Sequence, residues 1–163
     1  MKRIGIYICF WLCTLLAFAQ ENKDWQAKAD NEACRTWVEE RLAKMSLKER
    51  IGQLFIHTVA PLNTPQNRRN IADAVKEYKV GGLLFSGGEL MNQVTLTNYA
   101  QELAEIPLMM TFDGEWGLAM RLKNTPAFPK NRVLGCIQDN RLIYEYGKEV
   151  ARQCCEIGVH VNF

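Results

Sequence analysis

The residues with the clearest chemical potential lie together in one stretch, Ile106–Leu122. An apolar run of strand length ends there in Asp113–Gly117, which reads Asp-Gly-Glu-Trp-Gly. Two carboxylates, an aromatic ring and two glycines therefore follow directly after a predicted buried strand. In parallel α/β sheets and barrels, the loops that follow the strands carry the ligand-binding and catalytic groups. We therefore expect this stretch to form the floor of a ligand site.

The spacing of the two carboxylates, Asp113 and Glu115, favours a catalytic pair. In an extended chain, residues i and i+2 share a face, with their Cα atoms about 6.6 Å apart. Two acidic side chains at such a distance can divide the roles of proton donor and of base or nucleophile. Two residues on one loop, however, do not easily reach opposite sides of a ligand, which argues against this assignment.

The elements that would position this loop alternate between short apolar strands and amphipathic helices. A first helix is predicted from Asn31, and the pair Ser46 and Glu49 forms a capping box that starts a second one. Gly52 weakens that second helix and indicates close packing at this point. Strands are predicted at 56–60, 80–85, 108–112 and 159–163, and longer helices at 67–78, 89–105 and 139–157. The apolar spacing predicts the inward faces of the first two of these helices, which are Ile71, Ala72, Val75 and Tyr78, and Leu90, Val94, Leu96, Tyr99 and Leu103.

This β-α-β-α-β-α-β order predicts an α/β fold with a parallel sheet and outer helices, either an open doubly wound sheet or a barrel. The chain stops on the first residues of a buried strand, which would leave an unfinished sheet edge. We therefore expect it to be the N-terminal part of a larger domain. A (β/α)8 barrel takes about 250 residues, of which this chain supplies roughly half.

The first 19 residues are predicted to be a secretory signal peptide. Lys2 and Arg3 precede an apolar run over Ile4–Phe18, and Ala17-Phe18-Ala19 is a small-x-small cleavage site. The segment 20–30 is then a polar lead-in and 31–163 the domain. The protein is predicted to be exported to the periplasm or the extracellular space, touching the membrane only through this peptide.

Two alternatives to a cleaved leader are less favoured. An uncleaved anchor would need about 20 apolar residues to span a bilayer, and the run is shorter. A lipoprotein would be cleaved at Cys13, but the preceding residues, Phe10–Leu12, are bulky where such a site has small ones.

Composition narrows the range of partners and cofactors. The formal net charge is +2, and no basic patch with interleaved aromatic residues points to nucleic acid. No CxxC or His/Cys cluster indicates a metal, and we expect no metal and no cofactor. A different secreted α/β enzyme with an open sheet would require a Gly-rich phosphate loop or a nucleophile elbow, and neither GxGxxG nor GxSxG occurs. Four cysteines follow the leader and allow three disulfide pairings, while free thiols packed as small apolar groups remain an equal interpretation. They are Cys34, Cys136, Cys154 and Cys155.

Six segments, in order and at matching spacing, resemble the N-terminal part of glycoside hydrolase family 3. This family contains bacterial β-N-acetylglucosaminidases and β-glucosidases. Trp116 departs from the commoner double-glycine loop and resembles a branch of secreted bacterial hexosaminidase-like proteins. The segments are Met45–Phe55, Val80–Phe85, Asn92-Gln93, Ile106–Gly117 with Arg121, Phe128-Pro129 with Leu134–Cys136, and Gly158–Phe163 preceded by Gly147 and Ala151.

The resemblance implies the N-terminal half of a (β/α)8 TIM barrel and a retaining glycosidase that acts on O-glycosyl bonds. The implied substrates are terminal β-N-acetylglucosaminides or β-glucosides, such as those of cell-wall glycans. The nucleophile and the acid/base would then lie beyond Phe163, so the chain alone would be inactive. The alternative is a noncatalytic carbohydrate-binding protein on the same scaffold.

The resemblance also reassigns the loop carboxylates. It implies that Asp113 binds hydroxyls of the nonreducing sugar, although a turn-capping role is an alternative. Glu115 is expected to support the loop by pairing with Arg121 rather than to touch sugar. Trp116 is a candidate for stacking on a sugar face or for core packing. Arg121 is a candidate ligand clamp or a support for the loop.

Two histidines, His57 and His160, fall in or beside predicted strands. A single strand histidine more often fills a structural role than a catalytic one, and we interpret both in this way.

Overall fold

The computed structural model describes residues 31–163. The predicted leader, 1–19, and the polar lead-in, 20–30, lie outside the described residues. The chain divides at Met45 into two compact units. The described part of the first unit contains one helix, α1 (Glu32–Lys44), which starts where the Asn31 side chain accepts a 2.7 Å hydrogen bond from the Cys34 N–H.

The second unit, residues 46–163, contains two parallel sheets and the remaining helices. Its strands are β1 (Ile56–Val59), β2 (Gly82–Phe85), β3 (Gly88–Glu89), β4 (Met109–Phe112), β5 (Leu122–Lys123) and β6 (Val161–Asn162). Its helices are α2 (Leu47–Gly52), α3 (Pro65–Ala72) with a π-helical turn (Asp73–Glu77), α4 (Leu90–Leu103), a 3₁₀ turn (Leu118–Met120), α5 (Asn131–Leu134) and α6 (Asn140–Glu156).

The order of the strands in the larger sheet is β1-β2-β4-β6, and every pair is parallel. Each strand therefore lies beside the next one along the chain, apart from the two-residue strands β3 and β5, which pair with each other. A doubly wound sheet reverses its order at a switch point, and this sheet does not. The prediction of an α/β fold is confirmed, and the order is that of successive strands in a barrel.

The helix starts follow the capping signals in the sequence. The Ser46–Glu49 capping box is confirmed: the Ser46 N–H donates to Glu49 Oε2 at 2.8 Å, and the Glu49 N–H donates to Ser46 Oγ at 3.3 Å. Thr64 caps α3, and Pro65 occupies its first turn, where a missing N–H has no cost. This pair explains why α3 begins two residues before the predicted start.

The core lies mainly between the larger sheet and the helices. Leu83 and Phe85 on β2 and Met110 and Phe112 on β4 are fully buried, so alternate residues of these strands face the helices. The buried set around β2 is Val59, Ile71, Ala74, Val75, Val80, Leu83, Phe85, Leu96, Ala100, Leu108 and Met110. The set around α6 is Phe112, Leu118, Leu122, Val150, Cys154, Ile157 and Val159.

Two predicted helix faces differ from the structure. The π-helical turn, closed by the Tyr78 N–H on the Asp73 carbonyl at 3.0 Å, shifts the phase of the helix after Ala72. Ala74 is therefore buried, whereas Tyr78, predicted to face inward, is 56% exposed. On α4 the fully buried positions include the polar Gln93, which the apolar pattern did not reveal.

Within residues 31–163 all four cysteines are free, and Cys154 alone among them is buried. None of the helices in this range is long and apolar enough to cross a bilayer.

Close packing at Gly52 gives a matched pair of glycine substitutions. A Cβ on Gly52 would lie 2.1 Å from the Tyr78 carbonyl oxygen, whereas a Cβ on Gly147, within α6, would meet nothing within 4 Å. We expect Gly52→Ala to lower the free energy of unfolding by about 1–3 kcal/mol through overpacking. Gly147→Ala should raise it by about 0.4–1 kcal/mol, because alanine favours the helix and restricts the unfolded chain. Urea denaturation midpoints measure both changes, and a shift of both variants in the same direction would contradict the packing argument.

Candidate functional site

The loops that follow three neighbouring strands, β1, β2 and β4, meet at the carboxyl edge of the larger sheet. Pro61, after β1, packs on Gly88 so closely that a Cβ there would lie 2.4 Å from the proline Cγ. The Gly88 N–H, after β2, donates to the Arg121 carbonyl at 2.9 Å. The pairing of β3 with β5 then joins the second and third loops. The stretch singled out by the sequence therefore lies where three loops converge.

Asp113 follows the last residue of β4 and is held by Arg121 at two points. The Arg121 Nε donates to the Asp113 carbonyl at 3.1 Å, and Nη2 forms an ion pair with Oδ2. Both side chains are a little over a third exposed. Oδ1 has no partner among the described residues, and Arg121 keeps further N–H groups open. The pair therefore offers an acceptor and donors side by side, which suits a ligand rich in hydroxyls.

Gly114 is held by Asn162 at the end of β6. Its N–H donates to Asn162 Oδ1 at 2.8 Å, and its carbonyl accepts from Asn162 Nδ2 at 3.0 Å. A Cβ on Gly114 would lie 2.6 Å from the Phe112 ring, so a side chain does not fit. Sequence reasoning did not identify Asn162 as a site residue. The available signal was its position at the end of the strand predicted next to the Asp113 strand.

Glu115 does not share a face with Asp113. A turn closes between the Gly114 carbonyl and the Gly117 N–H at 2.9 Å, so the extended geometry assumed for a carboxylate pair does not hold. Glu115 instead lines a cavity of about 390 Å³ beside α6, and its backbone carbonyl accepts a 3.4 Å hydrogen bond from the Tyr146 hydroxyl. The expected ion pair between Glu115 and Arg121 is not formed, because Arg121 pairs with Asp113.

Trp116 lies half-buried in this turn, which Gly117 completes. Gly117 has φ +97°, and a Cβ there would lie 2.8 Å from the Phe128 ring. Glycine is thus required both by the backbone conformation and by the space. The Phe128 ring meets the Tyr146 ring edge-on, with centroids 5.1 Å apart, so the turn rests on an aromatic pair. Whether Trp116 stacks on sugar stays a prediction.

Burial changes the acidity of two groups on α6 beside this loop. Loss of hydration raises the pKa of Tyr146, which keeps the hydroxyl protonated and able to donate to the Glu115 carbonyl. Burial, followed by the neighbouring Cys155, raises the pKa of Cys154, so its thiol stays neutral. Over residues 31–163, no group of three or more His, Cys, Asp or Glu side chains is arranged to hold a metal.

Neither histidine is hydrogen-bonded to Asp113 or Arg121 within residues 31–163. His160 Nδ1 accepts a 2.9 Å hydrogen bond from the Met110 N–H, which fits the structural role predicted for it. His57, on β1, lines a separate cavity of about 610 Å³ between α2 and the π-helical turn, together with Lys48, Asp73 and Tyr78.

Comparisons with known proteins give a family match over most of the chain and one solved structure with a similar fold. Residues 46–163 match the family described as "Glycosyl hydrolase family 3 N terminal domain". A solved structure, "Beta-glucoside phosphorylase BglX bound to 2FGlc", is similar with a TM-score of 0.73 at 18% identity, over 82% of this chain and 24% of that one. A second, "Beta-glucoside phosphorylase BglX", gives a TM-score of 0.43 at 22% identity, over 53% of this chain and 14% of that one. A search of curated proteins found no match.

The chain thus spans about a quarter of the first matched structure. The likeness to that structure supports the barrel-type fold predicted from the order of strands and helices.

Arg121 binds both the carbonyl and the carboxylate of Asp113, and this predicts how the loop responds when Arg121 is replaced. We expect Arg121→Met to speed amide hydrogen exchange over residues 113–121, because the Asp113 carbonyl and carboxylate both lose their partner. The free energy of unfolding should fall by less than about 1 kcal/mol, since the ion pair is partly exposed. Lys123→Met removes a neighbouring exposed ion pair with Glu89 and should leave exchange over 113–121 unchanged. Mass-spectrometric hydrogen exchange compares the two, and equal responses would exclude a specific role of Arg121.

Proposed function

The chain belongs to glycosyl hydrolase family 3, and from that premise we propose that it is part of an exported retaining glycosidase. Its substrates are β-linked terminal N-acetylglucosaminides or glucosides, such as those released from cell-wall glycans. The observation that carries the proposal is the Asp113–Arg121 pair, fixed where three loops meet, with Asp113 Oδ1 and several Arg121 N–H groups open.

Such a pair matches the hydrogen-bonding pattern of a sugar. Each sugar hydroxyl both donates and accepts, so the carboxylate can accept from one hydroxyl while the guanidinium donates to its neighbour. Hydrogen bonds that involve a charged partner are stronger than neutral ones. Asp113 and Arg121 therefore bind and orient the nonreducing sugar, and Trp116 covers one face of its ring.

Asp113 is less suited to attack the anomeric carbon. One of its oxygens is already committed to Arg121, and the turn from Gly114 to Gly117 breaks the extended geometry that would align Glu115 with it, so this loop supplies no facing pair of carboxylates. A retaining glycosidase needs two carboxyl groups on either side of the scissile bond or an equivalent acid/base. In this proposal the nucleophile and the acid/base come from residues beyond Phe163.

Export rests on the first 19 residues. Lys2 and Arg3, the apolar run Ile4–Phe18 and the Ala17-Phe18-Ala19 site have the order of a secretory signal peptide. The protein would then meet its glycan in the periplasm or outside the cell. Sequencing the N-terminus of the protein recovered from its native compartment tests cleavage after Ala19.

Substitution Asp113→Asn in the full-length protein tests the sugar-holding role. The amide keeps the shape but loses the charge, and a hydrogen bond to a charged group contributes about 1.5–3 kcal/mol. We expect kcat/KM to fall by about 10- to 150-fold on nitrophenyl β-N-acetylglucosaminide or β-glucoside, whichever the native protein prefers. Asp73→Asn, at an exposed carboxylate in the π-helical turn, is the matched control and should change kcat/KM less than twofold.

An unchanged kcat/KM in Asp113→Asn would remove the assigned role. Sugar binding without any turnover by the native full-length protein would favour the noncatalytic carbohydrate-binding alternative, and calorimetric titration with N-acetylglucosamine and with glucose detects that case.

Residues 20–163 alone should release no nitrophenol from either substrate. The reason is that, in this proposal, these residues lack the nucleophile and the acid/base. A discontinuous assay at high protein concentration, with the full-length protein as the positive control, measures the release. Turnover by residues 20–163 would place the nucleophile within this chain.

A further inference from the structure

Strand β6 pairs with β4 over only two residues, yet side chains extend the contact at both ends. The backbone pairs are the His160 N–H on the Met110 carbonyl at 2.8 Å and the Phe163 N–H on the Phe112 carbonyl at 2.9 Å. At the amino end of the paired segment, His160 Nδ1 accepts a hydrogen bond from the Met110 N–H. At the carboxyl end, the side-chain amide of Asn162 binds the backbone of Gly114. The pairing therefore continues past the last residue of β4, on to the loop that carries the candidate site.

The Asn162 amide takes the place of a peptide group in this extension. A primary amide carries one acceptor oxygen and donor N–H groups, and Asn162 uses both on one residue, at 2.8 Å to the Gly114 N–H and 3.0 Å to its carbonyl. A turn begins at Gly114, and β6 supplies no backbone partner to this residue within 31–163. A side chain that reaches beyond the strand end supplies these bonds instead.

Asp113 is consequently held at its carboxylate and at the peptide group that follows its Cα. Arg121 binds its carbonyl at 3.1 Å and its carboxylate. Asn162 binds the N–H of the next residue, which belongs to the same peptide group as the Asp113 carbonyl. That peptide plane is therefore fixed from two directions. The direction of the Asp113 carboxylate then depends on a side chain of β6 as well as on its own ion pair.

We propose that Asn162 is a positioning residue that fixes the direction of the Asp113 carboxylate towards the bound sugar. This inference rests on the proposed function, in which Asp113 holds the sugar. Asn162 acts through the Gly114 peptide, and both hydrogen bonds of its amide go to that backbone. Its truncation to alanine removes both of these bonds.

A double-mutant cycle in the full-length protein tests the inference. We expect Asn162→Ala to lower kcat/KM on the preferred nitrophenyl glycoside by about tenfold, within the range of coupling between contacting residues. In an Asp113→Ala background the same substitution should change kcat/KM less than twofold, because the carboxylate that Asn162 positions is gone. A residue with only a general stabilising role would cause the same fold loss in both backgrounds.

Asn67→Ala is the matched control. The Asn67 amide also makes two hydrogen bonds to a loop backbone, to the carbonyls of Ala60 at 2.7 Å and Leu62 at 2.9 Å, after β1. Whatever its size, its effect should be equal in the native and Asp113→Ala backgrounds. If Asn162→Ala does not fold, the isosteric Asn162→Asp, which keeps an acceptor for the Gly114 N–H and loses the donor, is compared in the same two backgrounds.

The outcomes separate the inference from the proposed function. Turnover by the native protein, with equal losses from the Asn162 substitution in both backgrounds or with no loss, overturns the positioning role alone. Absence of turnover and of sugar binding by the native protein overturns the proposed function, and the inference with it. A loss that shrinks in the Asp113→Ala background supports both.

Discussion

The pairing of β4 with a parallel neighbour on each side is the constraint on which the candidate site depends. Parallel strands bring their carboxyl ends to the same edge of a sheet, so the residues that follow β2, β4 and β6 meet there. Each strand has only two to four residues, and backbone pairing alone would fix their ends loosely. The ends are fixed instead by cross-loop contacts: Gly88 on Arg121, Arg121 on Asp113 and Asn162 on Gly114.

The parts of this arrangement that follow from local rules could be predicted from sequence. The capping box at Ser46 and the strand ending at Phe112 each depend on residues within one turn or one strand. A glycine inside a helix indicated close packing at Gly52, although not that its neighbour is the distant Tyr78 carbonyl. The order of strands and helices then restricts the fold to a parallel sheet, and the resemblance to a known family selects the barrel. Asp113 could be identified as the central residue because a carboxylate at a strand end is a local feature of the sequence.

The partners of the site residues could not be predicted in the same way, since they depend on turns and on residues distant in sequence. A turn between Gly114 and Gly117 separates the carboxylates that an extended chain would align. Asn162 and Gly114 are hydrogen-bonded although they lie 48 positions apart in the sequence. Strand β6 pairs with β4 over only two residues, which is too short for a sequence pattern that would predict this contact. The π-helical turn at Asp73–Glu77 and the buried Gln93 likewise depend on how helices pack, which no 3.6-residue periodicity encodes.

Arg121 pairs with Asp113 rather than with Glu115, and this pairing determines which carboxylate is oriented to bind a ligand. An ion pair with more than a third of each side chain exposed contributes little to the stability of the fold, because water competes for both partners and the side chains lose freedom. Its main effect is therefore geometric: one carboxylate oxygen is fixed and the other is left to accept a hydrogen bond. Glu115, which forms no ion pair with Arg121 in the part of the chain that the structure describes, takes no part in that arrangement. A single well-oriented carboxylate beside a guanidinium is suited to hold a polyhydroxyl ligand, and in the proposed function the step that breaks a bond in that ligand is assigned to groups outside this loop.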